Sequence, residues 1–399
     1  MGSEATGRHD EVRGIVPLTL VWVERTTDST AAGAHLRGTL ARLTDARFRI
    51  QIFTRENDGP RWMPEQGRKL WRILSVVGPA RLARPEGVLL ARWSPFIALI
   101  SRRWQRRGLP TVLFVQGNLD DLYEANPWTR NISRITTLAT ESIREAHHIV
   151  TPSEGLAAWA AEYRQDGRAT ITVIPNGVDV AMFDRERAVA ALESTTAHVL
   201  FFGNMARWQG IDTVLSALQD PRWPADLELW FIGDGQMAGR VQECDDRRVR
   251  FLGRMPKSEV ARAAALAEIT LATRHDDPAS ATGVSPFKII ESAAAGTPCV
   301  VTRVPGQAEL AQDIGGSILI PPDDPQALAV AVARLHADPD LRAQLSADGL
   351  RGSKAYDWSE GEAALSAIVV ALAGNRAPGG NGADGTSLHA VVDERGPST

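Results

Sequence analysis

The chain has 399 residues, with 44 basic and 48 acidic side chains giving a formal charge of −4 at pH 7. Charged residues at 23% and hydrophobic ones at 44% exclude a wholly disordered chain and fit two or three globular domains. Two cysteines, Cys244 and Cys299, cannot build a disulfide framework or a CxxC metal knuckle, and no apolar stretch approaches the roughly 20 residues of a membrane span.

The opening MGSEATGRHDEVRG lacks the basic and apolar regions of a secretory signal, so a reducing, cytoplasmic setting is expected. A first strand is predicted at 17–23. A polar segment at 24–34, a helical pattern through Leu36, Leu40 and Leu43, and a second strand at 48–53 follow.

Between 59 and 110 eleven basic residues face two acidic ones, Glu65 and Glu86, a local charge of +9. Trp62, Trp71, Trp93 and Trp104 sit among them. Such a surface suits an anionic membrane, a phosphorylated acceptor, or an ordinary solvated arginine face. Nucleic acid is not expected, since there is no zinc-finger spacing, aromatic RNP-like strand or long basic tail.

Further strands are predicted at 111–115, leading into Gln116-Gly117-Asn118, at 146–150, and at 170–174, which ends in the turn Pro175-Asn176-Gly177. Ser153 is placed to cap a helix. In the second half, strands at 199–202, 227–232, 249–252, 269–272, 298–302 and 317–320 alternate with helices such as 211–218 and 286–295. Short apolar strands alternating with helices imply parallel sheet covered on both faces. The expected organisation is an α/β half at 14–184, a second at 195–356, a helix at 357–373 and a disordered tail at 374–399.

Three segments of the second half carry chemistry. Phe202-Gly203-Asn204 and Gly210 bracket a polar loop between a strand and a helix, where glycine admits close backbone approach by a phosphate or sugar hydroxyl. Gly233-Asp234-Gly235 ends another strand, at the edge where α/β proteins hold small molecules. In Ser285-Pro286-Phe287-Lys288, Ser285 is expected as helix N-cap and Pro286 as first helical residue, leaving amides for an anion. Lys288, one of four lysines, and Glu291 are three apart on one face, suiting a phosphate and a ribose diol side by side. An ordinary surface ion pair would show the same spacing. Cys299 reads as a small core residue.

Taken in order, the motifs resemble the GT-B glycosyltransferases, and most closely the retaining glycosyltransferase family 4, over about 19–356. The likeness is carried by ITVIPNGVD, FFGN with QGIDTVLSAL, LWFIGDG, VRFLGRMP and SPFKIIESAAAGTPCVV running to PGQAEL. It implies two Rossmann-like domains facing a cleft, the acceptor on the first and the nucleotide-sugar, UDP- or GDP-linked, on the second. It further implies Glu291 on the ribose, Lys288 near the phosphates, Gly203 admitting the diphosphate and Gly33 in a glycine loop of the first domain. Gly233, Gly235 and the turn reaching Met255 would frame the nucleobase.

Departures matter as well. Asn204 and Gln209 stand where the family commonly has Arg and Lys, so Arg207, Arg274 or Arg303 must supply charge; Arg207 is the expected one. Gly283 replaces a frequent glutamate, which Asp276 or Asp277 could return, and Gln116 replaces a frequent histidine. The implied activity is metal-independent retaining transfer, with Lys288 and Arg207 stabilising the leaving group and Gln116 orienting hydroxyls. The acceptor would be a hydroxyl compound, phosphorylated or lipid-linked, met in the cytoplasm or at the inner face of the membrane. A non-catalytic glycosyltransferase-like partner subunit and a nucleotide-sugar epimerase or hydrolase of the same fold are the alternatives.

Overall fold

The computed structural model describes residues 15–374 apart from 28–29, 58, 61, 127–128, 168, 194, 278–282 and 284. The opening segment and the expected disordered tail from 375 onward lie outside the described residues.

The first half runs β1 (Val16–Arg25), α1 (Ala31–Ala41), β2 (Phe48–Arg55), α2 (Glu65–Leu82), β3 (Val88–Arg92), α3 (Ala98–Gln105), β4 (Thr111–Phe114), α4 (Leu119–Ala125), α5 (Ser133–Glu145), β5 (His148–Thr151), α6 (Glu154–Ala161), β6 (Ile171–Val173) and α7 (Val180–Ala190). Its six strands pair in parallel in the order β2-β1-β3-β4-β5-β6. Helices cover both faces, so a central strand such as Thr111–Phe114 is buried at every residue instead of alternating. On α5 the buried Ile135, Ala139, Ser142 and Ile143 recur at helical spacing and give the helix its inward face.

The second half runs β7 (His198–Asn204), α8 (Ile211–Leu218), β8 (Glu228–Asp234), α9 (Ala238–Gln242), β9 (Val249–Gly253), α10 (Lys257–Leu266), β10 (Ile269–Ala272), α11 (Phe287–Ala295), β11 (Cys299–Thr302), α12 (Gln307–Ile314), β12 (Ser317–Ile320), α13 (Pro325–Ala337) and α14 (Pro339–Gly352). Its parallel sheet has the order β12-β11-β10-β7-β8-β9. The two sheets are Rossmann-like, and together they give the GT-B arrangement. Cys299 is buried in β11, as expected of a core residue.

Two features escape the sequence pattern. The basic window contains α2, the mid-sheet strand β3 and α3. β3 is only five residues long and lies between charged neighbours, while α2 carries Gly67, Gly78 and Pro79 and buries only Val76, Val77 and Ala80. The reading of all four tryptophans as a surface set is corrected. Trp104 is fully buried and Trp93 is buried, its Nε1 donating to the Ala139 carbonyl at 3.1 Å. Trp62 and Trp71 remain exposed, with Leu70, Leu74 and Leu82. Several of the arginines are structural: Arg102 pairs with Glu141, and Arg103 donates to the Ala83 carbonyl at 3.0 Å.

The second feature is the return of the chain. After α14 it crosses to the first half, where α15 (Glu362–Gly374) places Leu365 and Val369 in the core with Leu18, Leu20, Trp22 and Val112. Burying each such side chain stabilises by roughly 1.5–3 kcal/mol. Trp358 wedges beneath α1, where a Cβ on Gly38 would lie 2.1 Å from its ring. Arg42 Nε donates to the Trp358 carbonyl and Nη2 to the Pro175 carbonyl, each at 2.9 Å. Among the described residues no helix is long and apolar enough to cross a membrane.

Candidate active site between the two sheets

At the C-terminal edge of the second sheet β7 and β8 run in register, Gly203 beside Gly233 and Asn204 beside Asp234. Both glycines have positive φ, +105° and +137°. A Cβ on Gly233 would lie 1.9 Å from the Gly203 carbonyl oxygen, so this floor requires glycine. Gly235 lies under the Asn204 side chain, 2.7 Å from its Oδ1 to the position a Cβ would take. Beside this turn Arg254 pairs with Asp234 at 3.0 Å, and Met255 is half-buried against the core.

Lys288 lies over the floor, its Cε 3.2 Å from the Cβ position of Gly203. The ammonium donates to Gln209 Oε1 at 2.5 Å and sits 3.7 Å from the centroid of Phe201. Burial pushes its pKa down to about 7, against lesser opposing contributions from Cys299 and Glu291. One turn along, Glu291 is buried and ion-paired with Lys257. Lys288 and Glu291 therefore both face inward, each with a separate partner, and do not form the exposed pair their spacing also permitted.

The cap is corrected. Helix α11 starts at Phe287 with Pro286 as N-cap, and no side chain accepts from its first turn. The first half bonds to residues just before it: Ser153 Oγ donates to the Gly283 carbonyl at 2.9 Å and Asn176 Nδ2 to the Ser285 carbonyl at 3.0 Å. The helix begins one residue later than predicted, and Ser285 Oγ is buried without a hydrogen-bond partner among the described residues. Thr282 and Val284 of this motif lie outside the described residues. Phe287 packs against Trp358, ring centroids 6.0 Å apart, so its side chain belongs to the crossover of the chain.

Other expected residues lie apart from this cluster. Gly33 is not in a loop but in the first turn of α1, where its amide donates to the Thr30 hydroxyl at 3.1 Å. A Cβ there would lie 2.1 Å from the Thr27 carbonyl, so close packing and not flexibility demands glycine. Gln116 follows β4, and its amide nitrogen lies 3.1 Å from Nε2 of the buried His35. Burial, then the charges of Arg92 and Arg42, hold His35 well below its usual pKa and keep the ring neutral. Arg207 and Arg303 are exposed, whereas Arg274 is buried at the end of β10.

Sequence reasoning passed over Lys257, His35 and Arg92. The scarcity of lysine and a histidine inside the apolar face of α1 were the available signals for the first two. Arg92 belongs to a cavity of about 530 Å³ at the C-terminal edge of the first sheet, walled by Ile73, Trp93, Phe96 and Leu122. On its polar side Arg92 Nε donates to Glu24 Oε1 at 3.2 Å. Arg92 Nη1 and Glu24 Oε2 are buried without hydrogen-bond partners among the described residues. Apolar walls with a few unsatisfied polar atoms are the features that small-molecule sites share. Among the described residues no group of His, Cys, Asp and Glu is arranged to hold a metal ion.

Residues 30–182 match the family described as Glycosyltransferase Family 4, and 196–338 match Glycosyl transferases group 1. The chain is 26% identical over 346 residues to a Mycobacterium tuberculosis protein named glycogen synthase, covering 82% of this chain and 79% of that one. It is 22% identical over 404 residues to a D-inositol 3-phosphate glycosyltransferase of Segniliparus rotundus, covering 89% and 88%. A phosphatidyl-myo-inositol mannosyltransferase of Mycolicibacterium smegmatis is 28% identical over 208 residues, 50% of this chain and 52% of that one. Among solved structures, a sucrose-phosphate synthase of Thermosynechococcus elongatus superposes with a TM-score of 0.71 at 18% identity, covering 90% and 100%. Anabaena HepE with UDP and glucose gives 0.67 at 16%, covering 89% and 99%.

Proposed function

The chain belongs to the group 1, family 4 glycosyltransferases of GT-B fold and transfers a sugar from a nucleoside-diphosphate sugar to an acceptor; on that premise we propose that transfer is retaining and that the Lys288–Glu291 face of α11 holds the donor. The carrying observation is the buried Lys288 over the Gly203 floor, with Glu291 fixed one turn away by Lys257. An ammonium at the end of β7, beside the open amides of α11, suits a diphosphate, and a fixed carboxylate suits a ribose diol.

In the reaction the bond from the sugar's anomeric carbon to the diphosphate oxygen breaks. The acceptor oxygen bonds to the same face, and its proton passes to the leaving diphosphate. Charge grows on the departing phosphate, so the chain's task is to hold positive charge there and to exclude water. Lys288 does this from within and Arg207 from the rim. Gly233, Gly235, Asn204 and Met255 frame the base, and Gly33 and Gln116 lie on the acceptor side. UDP or GDP is the leaving group. The domain limits 14–184 and 195–356 belong to this reading, with α15 assigned to the first domain by its packing.

The acceptor enters the cavity of the first half, and a phosphorylated or lipid-linked hydroxyl compound fits its apolar walls and Arg92. The relatives named for inositol phosphate and phosphatidyl-inositol support that class. Exposed Trp62, Leu70, Trp71 and Leu74, with Arg81 and Arg84 nearby, suit peripheral contact with an anionic membrane at its cytoplasmic face.

A thermal-shift panel of UDP, GDP, ADP, CMP and TDP tests the donor site. One nucleotide is expected to stabilise the wild type strongly and Glu291→Ala little. Glu291→Gln, which keeps the side-chain volume, serves as the folding control. Equal responses of wild type and both variants would remove Glu291 from the site.

A further inference from the structure

The neutral pair Asn204 and Gln209 leaves Lys288 with too little company for a diphosphate, and the fold supplies a cation from elsewhere in the sequence. Arg274 follows β10, the strand next to β7 in the sheet, and is 5% exposed. Its backbone amide donates to Thr302 Oγ1 at 2.8 Å, which fixes the origin of the side chain. It neighbours the donor loop, since the Cβ position of Gly210 lies 3.8 Å from the Arg274 amide nitrogen. Its charge is also among the influences that lower the Lys288 pKa, after burial.

The guanidinium is underused where it stands. Nε and Nη2 are buried and without hydrogen-bond partners among the described residues. Two carboxylates compensate the charge at longer range: Asp121 of α4 at 3.7 Å, from the first half, and Asp277 at 3.6 Å, from the following loop. Neither reaches hydrogen-bond distance. Burial pushes the Asp121 carboxyl up in pKa, against the lowering influence of the Asn118 amide, which donates to its Oδ2 at 3.0 Å, and then of Arg274. A buried, charged fork with two unfilled donors is costly unless a partner arrives, and a phosphate fits that geometry.

We propose that Arg274 is the buried diphosphate-binding cation that joins Lys288, with Arg207 at the rim, and that Asp121 Oδ1 is its stand-in partner, exchanged for phosphate when donor binds. This rests on the donor site proposed above and deepens it. Asp121 also lines the cavity of the first half, so donor binding would free its Oδ1 toward the acceptor side while Oδ2 stays on the Asn118 amide. Donor binding would then be coupled to acceptor recognition through one ion pair across the cleft.

Isothermal titration with UDP and GDP, and with uridine and guanosine, tests this on the full chain. Arg274→Gln is expected to weaken binding of the recognised nucleoside diphosphate about tenfold and leave its nucleoside unchanged, with Arg274→Lys between. Asp121→Asn is expected to tighten the diphosphate about threefold in the wild-type background and do nothing when combined with Arg274→Gln. If Arg274 and Asp121 were only a structural strut, both substitutions would weaken binding alike, and that result overturns the proposal. So does unchanged diphosphate affinity in a folded Arg274→Gln or Arg274→Lys. If neither UDP nor GDP binds the wild type, the donor site itself fails; if one binds but Arg274 is indifferent, only this inference does.

Discussion

The two sheets share strand number and direction, but their C-terminal edges are furnished for different work. In the second half the edge is a glycine floor under buried charges: Lys288 bonded to Gln209, and Glu291 paired with Lys257. In the first half it is a cavity with apolar walls and one ion pair, Arg92 to Glu24, at its polar side. Fixed charge at short range selects for invariant chemistry, which is the basis for proposing a diphosphate and a diol there. Apolar area with sparse polar atoms accommodates a ligand body whose shape varies. On the reading proposed above, the same fold would carry a donor site specified by charge and an acceptor site specified by surface.

Three variants bear on that contrast. The largest effect is expected for Lys288→Ala, with turnover falling about 100-fold and nucleoside affinity little changed, because charge develops on the phosphate in the transition state. Steady-state kinetics beside uridine or guanosine titration would show it. The same residue sets a pH dependence. Its pKa is about 7 in the free protein, and a bound diphosphate favours the charged form. Affinity for the nucleoside diphosphate is therefore full below pH 7 and declines as pH rises through the gap to the bound-state value. Comparison with Lys288→Ala subtracts the titration of the nucleotide's own phosphate; identical pH profiles would break the assignment.

An intermediate effect is expected on the other edge. Arg92→Gln should lower the ratio of sugar transfer to donor hydrolysis about tenfold while donor affinity stays as in the wild type. A matched loss of donor binding would mean that the two edges are not separable. The smallest effect belongs to the surface of α2. Trp71→Ser combined with Leu74→Ser should weaken binding to phosphatidylglycerol vesicles about fivefold, without change in nucleotide binding, since both side chains are exposed. Unaltered vesicle binding would return this face to the status of a solvated surface.

Much of the second sheet's glycine-floored edge is legible in the sequence. The strand ends at Gly203 and Gly233 and the Lys288–Glu291 spacing are local patterns, and backbone sterics at a sheet edge permit few alternatives to glycine there. The onset of α11 lies one residue later than its local pattern predicts, and the residues before it bond to Ser153 and Asn176, both more than 100 residues away. Gly33 was misread because the reason for glycine there is a neighbouring carbonyl that the sequence does not reveal. β3 was hidden because four apolar residues, Val88 to Ala91, between Gly87 and Arg92 carry little periodicity.

The sequence by itself determined two parallel α/β halves, the order of the second half's elements and the placing of Lys288 and Glu291 on one face of α11. Periodicity, glycine placement and capping residues act within a few positions of one another. Only the tertiary structure decided that α15 closes the first core, that Lys257 holds Glu291, that Arg92 and Glu24 share a cavity, and that Arg274 meets Asp121. Those contacts join residues far apart along the chain. Burial and charge pairing select them only once both sheets are in place.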